Sequence, residues 1–345
     1  MSGILFMESF EDEVPLGKWD SNTSNTNNAS GLHGKGRNVT YPTYVPNFRH
    51  TLISPVDTVI TGVASKWSAA GTNPGAVIGD IQFRTQDGVT SANATSGISV
   101  IQRALKMEIY RGTTLLATSA VVITVDNWHY IEVEAYLHDT NGTVEVWVDG
   151  VSAVSFGPGD TKPGSETTIT HVCHNFGYST GTKVLDDIYI LDPAGESAPY
   201  NAPLGPVRVD MLVPDGDGAT SNLTGSDGNQ VNNFQQIDEI AYSGTDYNGS
   251  ATEGDLDTYA LPAMATPDTV FGVQANTFRA KSDAGAKFMR TVMRSNSVNY
   301  VGSSSALTET YTTYRDIWKL NPNTSTAWTK TTVDAAEVGA EVRDS

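Results

Sequence analysis

Residues 128–150 read WHYIEVEAYLHDTNGTVEVWVDG, and apolar side chains alternate with polar ones along this stretch. In the first arm, the side chains predicted to face the core are Ile131, Val133, Ala135 and Leu137. The side chains predicted to face solvent are Tyr130, Glu132, Glu134 and Tyr136. The second arm repeats the pattern with Val144, Val146 and Val148 on the core face. A period of two over both arms predicts a β-hairpin, with turns at residues 139–142 and at Asp149-Gly150.

The overall composition predicts an all-β protein of two domains. At 345 residues the chain is too long for one ordinary sandwich, and its hydrophobic content of 39% is enough for real cores. Gly, Ser, Thr, Asn and Asp are abundant, whereas helix formers such as Leu, Lys and Glu are scarce. Such a composition is typical of short strands joined by turns.

The charge and the cysteine content exclude several classes of function. The net charge of −18 argues against nucleic acid and anionic membranes as partners, because binding either one takes clustered Lys and Arg. The one cysteine, Cys173, excludes a disulfide framework. No apolar run is long enough to span a bilayer, and MSGILFMESF at the N-terminus predicts a first β-strand and not a signal peptide. We therefore expect synthesis and folding in a cytoplasm.

A segment rich in Pro and Gly predicts the domain organisation. Residues 196–206 form this segment and predict a linker between domains at 1–195 and 207–345. Near the C-terminus, Val338 and Val342 are four residues apart and predict one face of a short helix. The predicted fold is thus an N-terminal β-sandwich followed by a C-terminal β-sandwich that ends in a short helix.

The hairpin also resembles part of a known fold family. A strand that begins on Trp128, a short loop and then G-x-V-x-V-x-V-D-G are similar to the back-sheet hairpin of concanavalin-like (laminin-G-like) jelly rolls. The resemblance implies a concanavalin-like jelly roll for the N-terminal domain. Proteins with this fold serve in surface recognition or particle architecture more often than in metabolism, but the fold alone does not define a function.

The order of motifs along the chain resembles a second family. It runs D-D-I-Y-I-L-D at residues 186–192, the Pro/Gly linker, V-R-V-D-M-L-V-P-D-G-D-G at 207–218 and a closing R-D-I-W…N-P…W-T…V from residue 315. This order is similar to that of virion structural proteins of tailed bacteriophages, described as minor tail or lectin-like proteins. The similarity extends from Phe6 to Val342.

This second resemblance implies a non-enzymatic structural protein on the exterior of a virion, made in the cytoplasm of the bacterial host. The expected position is on the tail or a fibre, where the protein would act in assembly and in adhesion to the host surface. Head decoration and a free carbohydrate-binding lectin are the alternatives. The expected partners are other virion proteins, further copies of the chain (a trimer is favoured) and a host-surface glycan.

The sequence offers little for catalysis. Glycoside hydrolases of the concanavalin-like fold carry E-x-D-x-x-E on one strand, and the nearest pattern here is Glu132-Val-Glu134, which we interpret as a solvated outer face. His171, Cys173 and His174 do not form a zinc site on a regular strand, because His174 points away from the other two. We therefore predict no catalytic residues, no required cofactor and a buried Cys173 beside two structural histidines.

Calcium is the metal that the sequence supports best, in a structural role. The oxygen ligands of the first candidate site are Glu8, Glu11, Asp186 and Asp187. They lie on the first and last strands of one sandwich, which are often neighbours in jelly rolls of this type, so they can meet around one ion. A weaker candidate is Asp215-Gly-Asp217-Gly, which resembles the start of a calcium loop but lacks the distal Glu.

Aromatic side chains are candidates for binding a glycan or for forming a subunit interface. They are Trp19, Trp67, Trp147 and Tyr178. Trp147 falls on the polar face of its strand, so it is either exposed or covered by the second domain or another subunit. Because Trp and Tyr are enriched at interfaces, we interpret it as an interface residue.

Overall fold

The computed structural model describes residues 3–11, 19, 21–22, 26–39, 48–68, 77–85, 97–176, 183–240, 242–265 and 269–344. These residues form two compact units, which divide in the sequence between Val209 and Asp210. Both units consist mainly of antiparallel strands, which confirms the predicted all-β fold class. None of the helices in the described residues has the length and apolarity that crossing a bilayer requires.

The first unit is a sandwich of two sheets. Its strands are β1 (Gly3–Glu8), β2 (Ser21–Asn22), β3 (Thr26–Ser30), β4 (Lys35–Val39), β5 (Phe48–Val56), β6 (Thr58–Trp67), β7 (Val77–Arg84), β8 (Gly97–Arg103), β9 (Lys106–Arg111), β10 (Thr114–Thr118), β11 (Trp128–Tyr136), β12 (Gly142–Val148), β13 (Val151–Gly159), β14 (Ile169–Phe176) and β15 (Lys183–Asp192). The first sheet has the order β13-β12-β11-β6-β15-β4-β3, and β1 also pairs with β15. The second sheet has the order β10-β9-β8-β7-β14-β5-β2.

The predicted hairpin is confirmed as β11 and β12. Its core face lies between the two sheets, where Val133 and Val146 are fully buried. Asp149 and Gly150 both have positive φ, 54° and 77°, which fits the two-residue turn that leads into β13. The local pattern of the sequence was therefore sufficient to place this hairpin.

Both sheets contribute to one hydrophobic core. Its fully buried members include Val59, Val133 and Val146 of the first sheet and Phe83, Ile98 and Ile109 of the second. Full burial of an aliphatic or aromatic side chain of this size contributes about 1.5–3 kcal/mol relative to exposure. Because these side chains must face inward, the alternate side chains on each strand must face away from the core.

The hairpin face that was predicted to be solvent-exposed is partly buried. Tyr130 and Glu132 are 3% and 1% exposed, whereas Glu134 and Tyr136 are half-buried. The covering element is residues 193–209, which follow β15 and which we call the return segment. Alternation within a hairpin cannot reveal a covering segment that comes later in the chain, so the prediction was wrong for Tyr130 and Glu132.

The return segment is hydrogen-bonded to the outer face of the first sheet. The Gly205 N–H donates to Glu132 Oε1 at 2.8 Å, and the Leu204 N–H donates to the Tyr189 hydroxyl at 3.1 Å. The Tyr189 hydroxyl in turn donates to Glu132 Oε1. Residues 196–206, predicted as a linker, are therefore part of the first unit, and the division between the units comes later in the chain.

The second unit is built from smaller sheets. Its elements are β16 (Gly216–Ser221), β17 (Thr224–Gly225), a 3₁₀ helix (Asn233–Gln236), β18 (Asn248–Gly249), β19 (Leu256–Ala260), β20 (Val273–Arg279), β21 (Phe288–Ser295), β22 (Val298–Val301), β23 (Ser305–Ala306), β24 (Thr312–Trp318), α1 (Lys330–Asp334) and β25 (Glu337–Arg343). The main sheet has the order β16-β19-β25-β21-β22, and β23 also pairs with β21. β17 pairs with β18, and β20 pairs with β24. One hydrophobic cluster of this unit consists of the buried residues Val270, Met293, Trp328, Val333 and Ala336.

The C-terminal helix is shorter than predicted. A capping box of Thr329 and Thr332 begins α1, which ends at Asp334. Val338 and Val342 lie on β25 and not on a helix. A spacing of four puts two residues on one face of a strand as well as of a helix, so the pattern could not discriminate between them. Pairing of β25 with β19 and β21 on both sides decided in favour of the strand.

Candidate functional site

The outer face of the second sheet carries a row of polar side chains. On β7, β8 and β9 the side chains of Phe83, Ile98 and Ile109 point into the core. The alternate side chains, which include the apolar Ile101, point away from it. We define the polar face as the outward side chains of Gln82, Arg84, Ser99, Arg103, Glu108 and Tyr110. The strand register puts Gln82 opposite Ser99 and Ser99 opposite Tyr110, so the polar face crosses three neighbouring strands.

The part of the polar face nearest the centre of the sheet is buried. Gln82, Arg84 and Ser99 are 1%, 2% and 2% exposed. Arg84 donates from Nε and from Nη2 to Oε1 of Gln82, at 2.8 and 2.6 Å. These two bonds to one oxygen fix the planes of both side chains, so this part of the face is rigid.

The part of the polar face on β8 and β9 nearer the sheet edge is accessible. Arg103, Glu108 and Tyr110 are half-buried. The Tyr110 hydroxyl donates to Glu108 Oε2 at 2.9 Å and accepts from Arg103 Nη1 at 3.3 Å, and the guanidinium lies 5.9 Å from the centroid of the Tyr110 ring. Burial, followed by the hydrogen bond to Glu108, raises the pKa of Tyr110, so the hydroxyl stays protonated at neutral pH. A cation, a carboxylate, a hydroxyl and a ring are thus held side by side.

The histidines and the cysteine of β14 have the predicted arrangement. His174 points into the core, where its Nε2 lies 3.3 Å from the Thr61 hydroxyl, and His171 and Cys173 lie on the opposite face. All three are buried. Burial lowers the pKa of His174 to about 3, so its ring is neutral at pH 7. Over the ranges that the structure describes, no three His, Cys, Asp or Glu side chains converge as metal ligands.

The carboxylates of the first strand, proposed above as calcium ligands, accept N–H groups. β1 and β15 are neighbours, as expected. Glu8 accepts the Phe10 N–H at 2.9 Å and the indole N–H of Trp19 at 3.2 Å. Glu11 accepts the Lys35 N–H at 2.8 Å. The oxygen atoms of this strand are therefore already engaged in holding the chain around them.

The two aspartates of the last strand hold the turn between β3 and β4. Asp186 accepts the N–H groups of His33 and Asp187, at 3.0 and 2.8 Å, and the His33 Nδ1 lies 2.7 Å from Asp187 Oδ2. A Cβ atom on Gly31 would lie 2.4 Å from Asp186 Oδ2, so the turn needs glycine there. Burial, followed by the charge of Asp187, raises the pKa of Asp186 to about 7.

The second calcium candidate also contacts backbone N–H groups. Asp217 accepts the Asn232 N–H at 2.7 Å and the Phe234 N–H at 3.0 Å, and so holds the start of the 3₁₀ helix. Asp215 is exposed. In both candidate sites the carboxyl oxygens of Glu8, Asp186 and Asp217 accept hydrogen bonds from N–H groups. A structural calcium ion stays a prediction at both places.

The predicted aromatic residues fall in different environments. Trp19 and Trp67 are 4% and 1% exposed and belong to the core, so neither presents a ring face to a ligand. Trp147 is half-buried on the outer face of the first sheet. Tyr178 lies outside the described residues. Trp147 is therefore the one member of this set whose ring the structure shows to be accessible.

The Glu132–Glu134 pair is not a pair of solvated carboxylates. Glu132 lies beneath the return segment, where burial raises its pKa although the hydrogen bonds from Tyr189 and Gly205 oppose the shift. Burial, followed by the charge of Glu145, raises the pKa of Glu134. Because the return segment seals Glu132 from solvent, the two carboxylates cannot flank a substrate together.

Thr124, His129 and Asp149 are hydrogen-bonded in the order of a hydrolase triad. His129 Nδ1 lies 2.7 Å from Asp149 Oδ2, and Nε2 lies 2.9 Å from the Thr124 hydroxyl. The same Nε2 accepts the backbone N–H of Thr124 at 3.0 Å, and Asp149 Oδ1 accepts the Tyr130 N–H at 2.8 Å. These backbone contacts show that the three side chains tie the loop before β11 to the hairpin turn after β12.

The polar face was not predicted from the sequence, although the alternation of polar and apolar residues that produces it can be seen there. In IQFR at 81–84 and MEIYR at 107–111, polar residues alternate with buried apolar ones. This alternation indicates which side chains turn away from the core. It does not indicate that β7, β8 and β9 are neighbours, which is what collects the polar side chains into one surface.

The fold and the polar face together define an all-β protein of two units, in which Arg103, Glu108 and Tyr110 are the accessible part of the polar face on the first unit. No protein-family model matches the chain, and no curated protein matches it. An alginate lyase from a Chlorella virus, vAL-1, is 10% identical, with a TM-score of 0.37 over 50% of this chain and 93% of its own. The carbohydrate-binding module CBM66 of Bacillus subtilis is 10% identical, with a TM-score of 0.33 over 55% of this chain and 98% of its own. Arcelin-5, a lectin-like defence protein of Phaseolus vulgaris, is 9% identical, with a TM-score of 0.36 over 54% of this chain and 96% of its own. Similarities at this level say nothing about ligand or activity.

Proposed function

We propose that the protein binds carbohydrate, without chemical turnover, through the polar face of its first unit. The observation that carries this proposal is the cluster of Arg103, Glu108 and Tyr110, which holds donors, acceptors and a ring face next to one another on outward positions. A sugar presents hydroxyl groups that donate and accept together with patches of C–H groups. A surface that binds it therefore needs fixed polar groups beside an aromatic ring.

The buried neighbours of this cluster support the proposal through rigidity. Gln82 and Arg84 are held to each other by two hydrogen bonds and have almost no exposed surface. A ligand that binds beside an already ordered layer loses less of its binding free energy to the ordering of side chains. The buried part of the polar face therefore does not have to become ordered when a ligand binds.

Replacing Tyr110 by alanine is expected to weaken glycan binding about tenfold, because the ring contact and the phenolic hydrogen bond each contribute about 0.5–1.5 kcal/mol. The measurement is calorimetric titration of the full chain with the oligosaccharide that gives the strongest signal on an array of neutral and acidic glycans. Tyr136→Ala is the matched control, because Tyr136 is also a half-buried strand residue but lies on the first sheet. Unchanged affinity in Tyr110→Ala, or a loss in Trp147→Ala instead, would contradict the polar face as the site.

Two further assays with the same oligosaccharide test the absence of turnover and the structural calcium. Release of reducing sugar or of an unsaturated product from the bound oligosaccharide would show that the protein is an enzyme. Loss of binding in EDTA, restored by calcium, would support a calcium ion that the fold needs. Binding that is indifferent to EDTA would remove calcium from the proposal.

We further propose that the protein is a structural component on the exterior of a tailed-phage particle, on the tail or a fibre. The support for this role is the order of motifs, from D-D-I-Y-I-L-D at 186–192 to the closing R-D-I-W…W-T. In this role the polar face would adhere to a host-surface glycan. The second unit would dock onto other virion proteins or further copies of the chain, with a trimer as the default symmetry.

Immunogold electron microscopy is expected to place an antibody against this protein on the tails or fibres of particles purified from the producing culture. Gold over the head would instead make the protein a head decoration protein. Unlabelled particles, with the protein free in the medium, would contradict the virion role and leave a free carbohydrate-binding lectin.

A further inference from the structure

Three aromatic side chains of the second unit contact one another, and a fourth lies in the same loop as one of them. We define the aromatic patch as Tyr242, Tyr247, Phe278 and Tyr311. The ring centroid of Tyr242 lies 3.9 Å from that of Phe278 and 5.0 Å from that of Tyr311. The rings of Phe278 and Tyr311 are stacked within 3° of parallel, 5.5 Å apart. Tyr247 belongs to the same loop as Tyr242 and follows it by five residues.

The patch lies at the surface. Tyr247 is 47% exposed, and the other three side chains are half-buried. Their positions come from different parts of the chain: the loop at 242–247, the end of β20 and the residue just before β24. A group of exposed rings collected from three segments is costly to leave in water, and such groups mark binding surfaces more often than scattered single aromatics do.

The hydroxyl groups of the patch differ from that of a nearby tyrosine in their contacts with the described residues. Within the described ranges, those of Tyr242, Tyr247 and Tyr311 form no hydrogen bond with another side chain or with the backbone. Nearby Tyr314, by contrast, donates to the Ala306 carbonyl at 2.7 Å. A buried tyrosine hydroxyl normally has such a partner, whereas one at the surface can bind water or a ligand.

A polar group continues the surface beside the rings. Asn276 lies two residues before Phe278 on β20, so both side chains are on the same strand face. It is exposed, and its Oδ1 accepts Gln274 Nε2 at 3.0 Å, which fixes the plane of the amide. The Asn276 amide group is thus held in place at the side of the ring platform.

We infer that the aromatic patch is a second carbohydrate-binding site, separate from the polar face, and that its ligand is a neutral glycan. One side of a pyranose ring presents C–H groups, which pack onto aromatic rings, while the hydroxyl groups at its rim reach the tyrosine hydroxyls and Asn276. The net charge of −18 opposes the approach of an acidic glycan.

The test is calorimetric titration of the full chain with neutral oligosaccharides of glucose, mannose and galactose. Tyr247→Ala is expected to weaken binding about three- to tenfold, the effect of losing one ring contact. Tyr247→Phe, which keeps the ring, should lose less. Tyr300→Ala is the matched control, because Tyr300 is a half-buried tyrosine on β22 of the same unit and outside the patch. The unfolding temperature of each variant checks that the fold is intact.

The pattern across variants separates the two sites. Weaker binding in Tyr247→Ala, with full binding in Tyr110→Ala, supports the patch and contradicts the polar face. The reverse pattern overturns the patch and leaves the polar face as the site. Partial loss in each of the two variants supports both sites. The inference is also overturned when no neutral oligosaccharide binds, or when Tyr247→Ala alters only the self-association of the chain, which would make the patch a protein contact.

Discussion

Replacing Asp257 by alanine is expected to lower the free energy of unfolding of the second unit by about 3–5 kcal/mol. Asp257 lies on β19 and is fully buried. Its carboxylate accepts hydrogen bonds from the backbone N–H groups of Asn222 and Leu223, the amide of Asn233 and the hydroxyl of Tyr259, at 2.6, 2.7, 2.6 and 3.0 Å. Alanine would leave these donors buried without an acceptor, and the loss approaches the total stability of many domains.

Hydrogen exchange read by mass spectrometry is the measurement, because it reports on the two units separately. Peptides from residues 210–345 are expected to lose protection in Asp257→Ala. Asp246→Ala is the matched control, since Asp246 is exposed and its carboxylate accepts a hydrogen bond from the Ser243 hydroxyl. The Asp246→Ala substitution should lower the free energy of unfolding by less than about 1 kcal/mol. Equal protection in Asp257→Ala and Asp246→Ala would show that this carboxylate does not hold the second unit together.

The stability of the first unit is expected to fall as the pH rises from 5 to 8, by about 1–3 kcal/mol through Asp186. The folded state raises the pKa of Asp186 to about 7, above the ordinary value of 3.8, so the folded chain holds a proton that the unfolded chain releases. The contribution is complete below the ordinary pKa and decreases through the interval between the two values. It is absent above pH 7, where both states have lost the proton.

Denaturant unfolding at several pH values measures how steeply the free energy of unfolding falls with pH. The Asp186→Asn variant lacks the group whose titration we expect to cause this slope. The variant is expected to be less stable at every pH, because Asp186 accepts the His33 N–H on Oδ2 and the Asp187 N–H on Oδ1, whereas an amide has only one oxygen. Its slope between pH 5 and 8 should nevertheless be flatter than that of the parent chain. An unchanged slope would assign the pH dependence to other buried carboxylates, such as Glu132, whose pKa burial also raises.

The fold class and the first hairpin could be predicted because their signals are local. Val133 and Val146 belong to an alternating pattern that depends only on the pleat of a strand. Asp149 and Gly150 supply the positive φ angles that the following turn requires. The opposite orientations of Cys173 and His174 followed from the same alternation. Each of these predictions needs only residues close together in the chain.

The candidate sites were harder to predict, because they depend on which segments meet. The polar face exists only because β7, β8 and β9 are adjacent, and the aromatic patch joins a loop to the ends of two strands. Trp19 and Trp67, which the sequence offered as ligand platforms, are core residues. Residue type shows that a tryptophan can bind a sugar, but only its burial shows whether a sugar can reach it.

The sequence by itself determined an all-β chain, the alternation of its strands, the turn at Asp149-Gly150 and the presence of a short helix near the C-terminus. These follow from side-chain periodicity and backbone preferences that act over a few residues. The tertiary structure alone decided that the return segment covers Glu132, that residues 337–343 pair as a strand and that polar side chains from three strands form one surface. The physical reason is that burial, strand pairing and carboxylate partners are set by segments far apart in the chain, and their free energies exceed the local preferences.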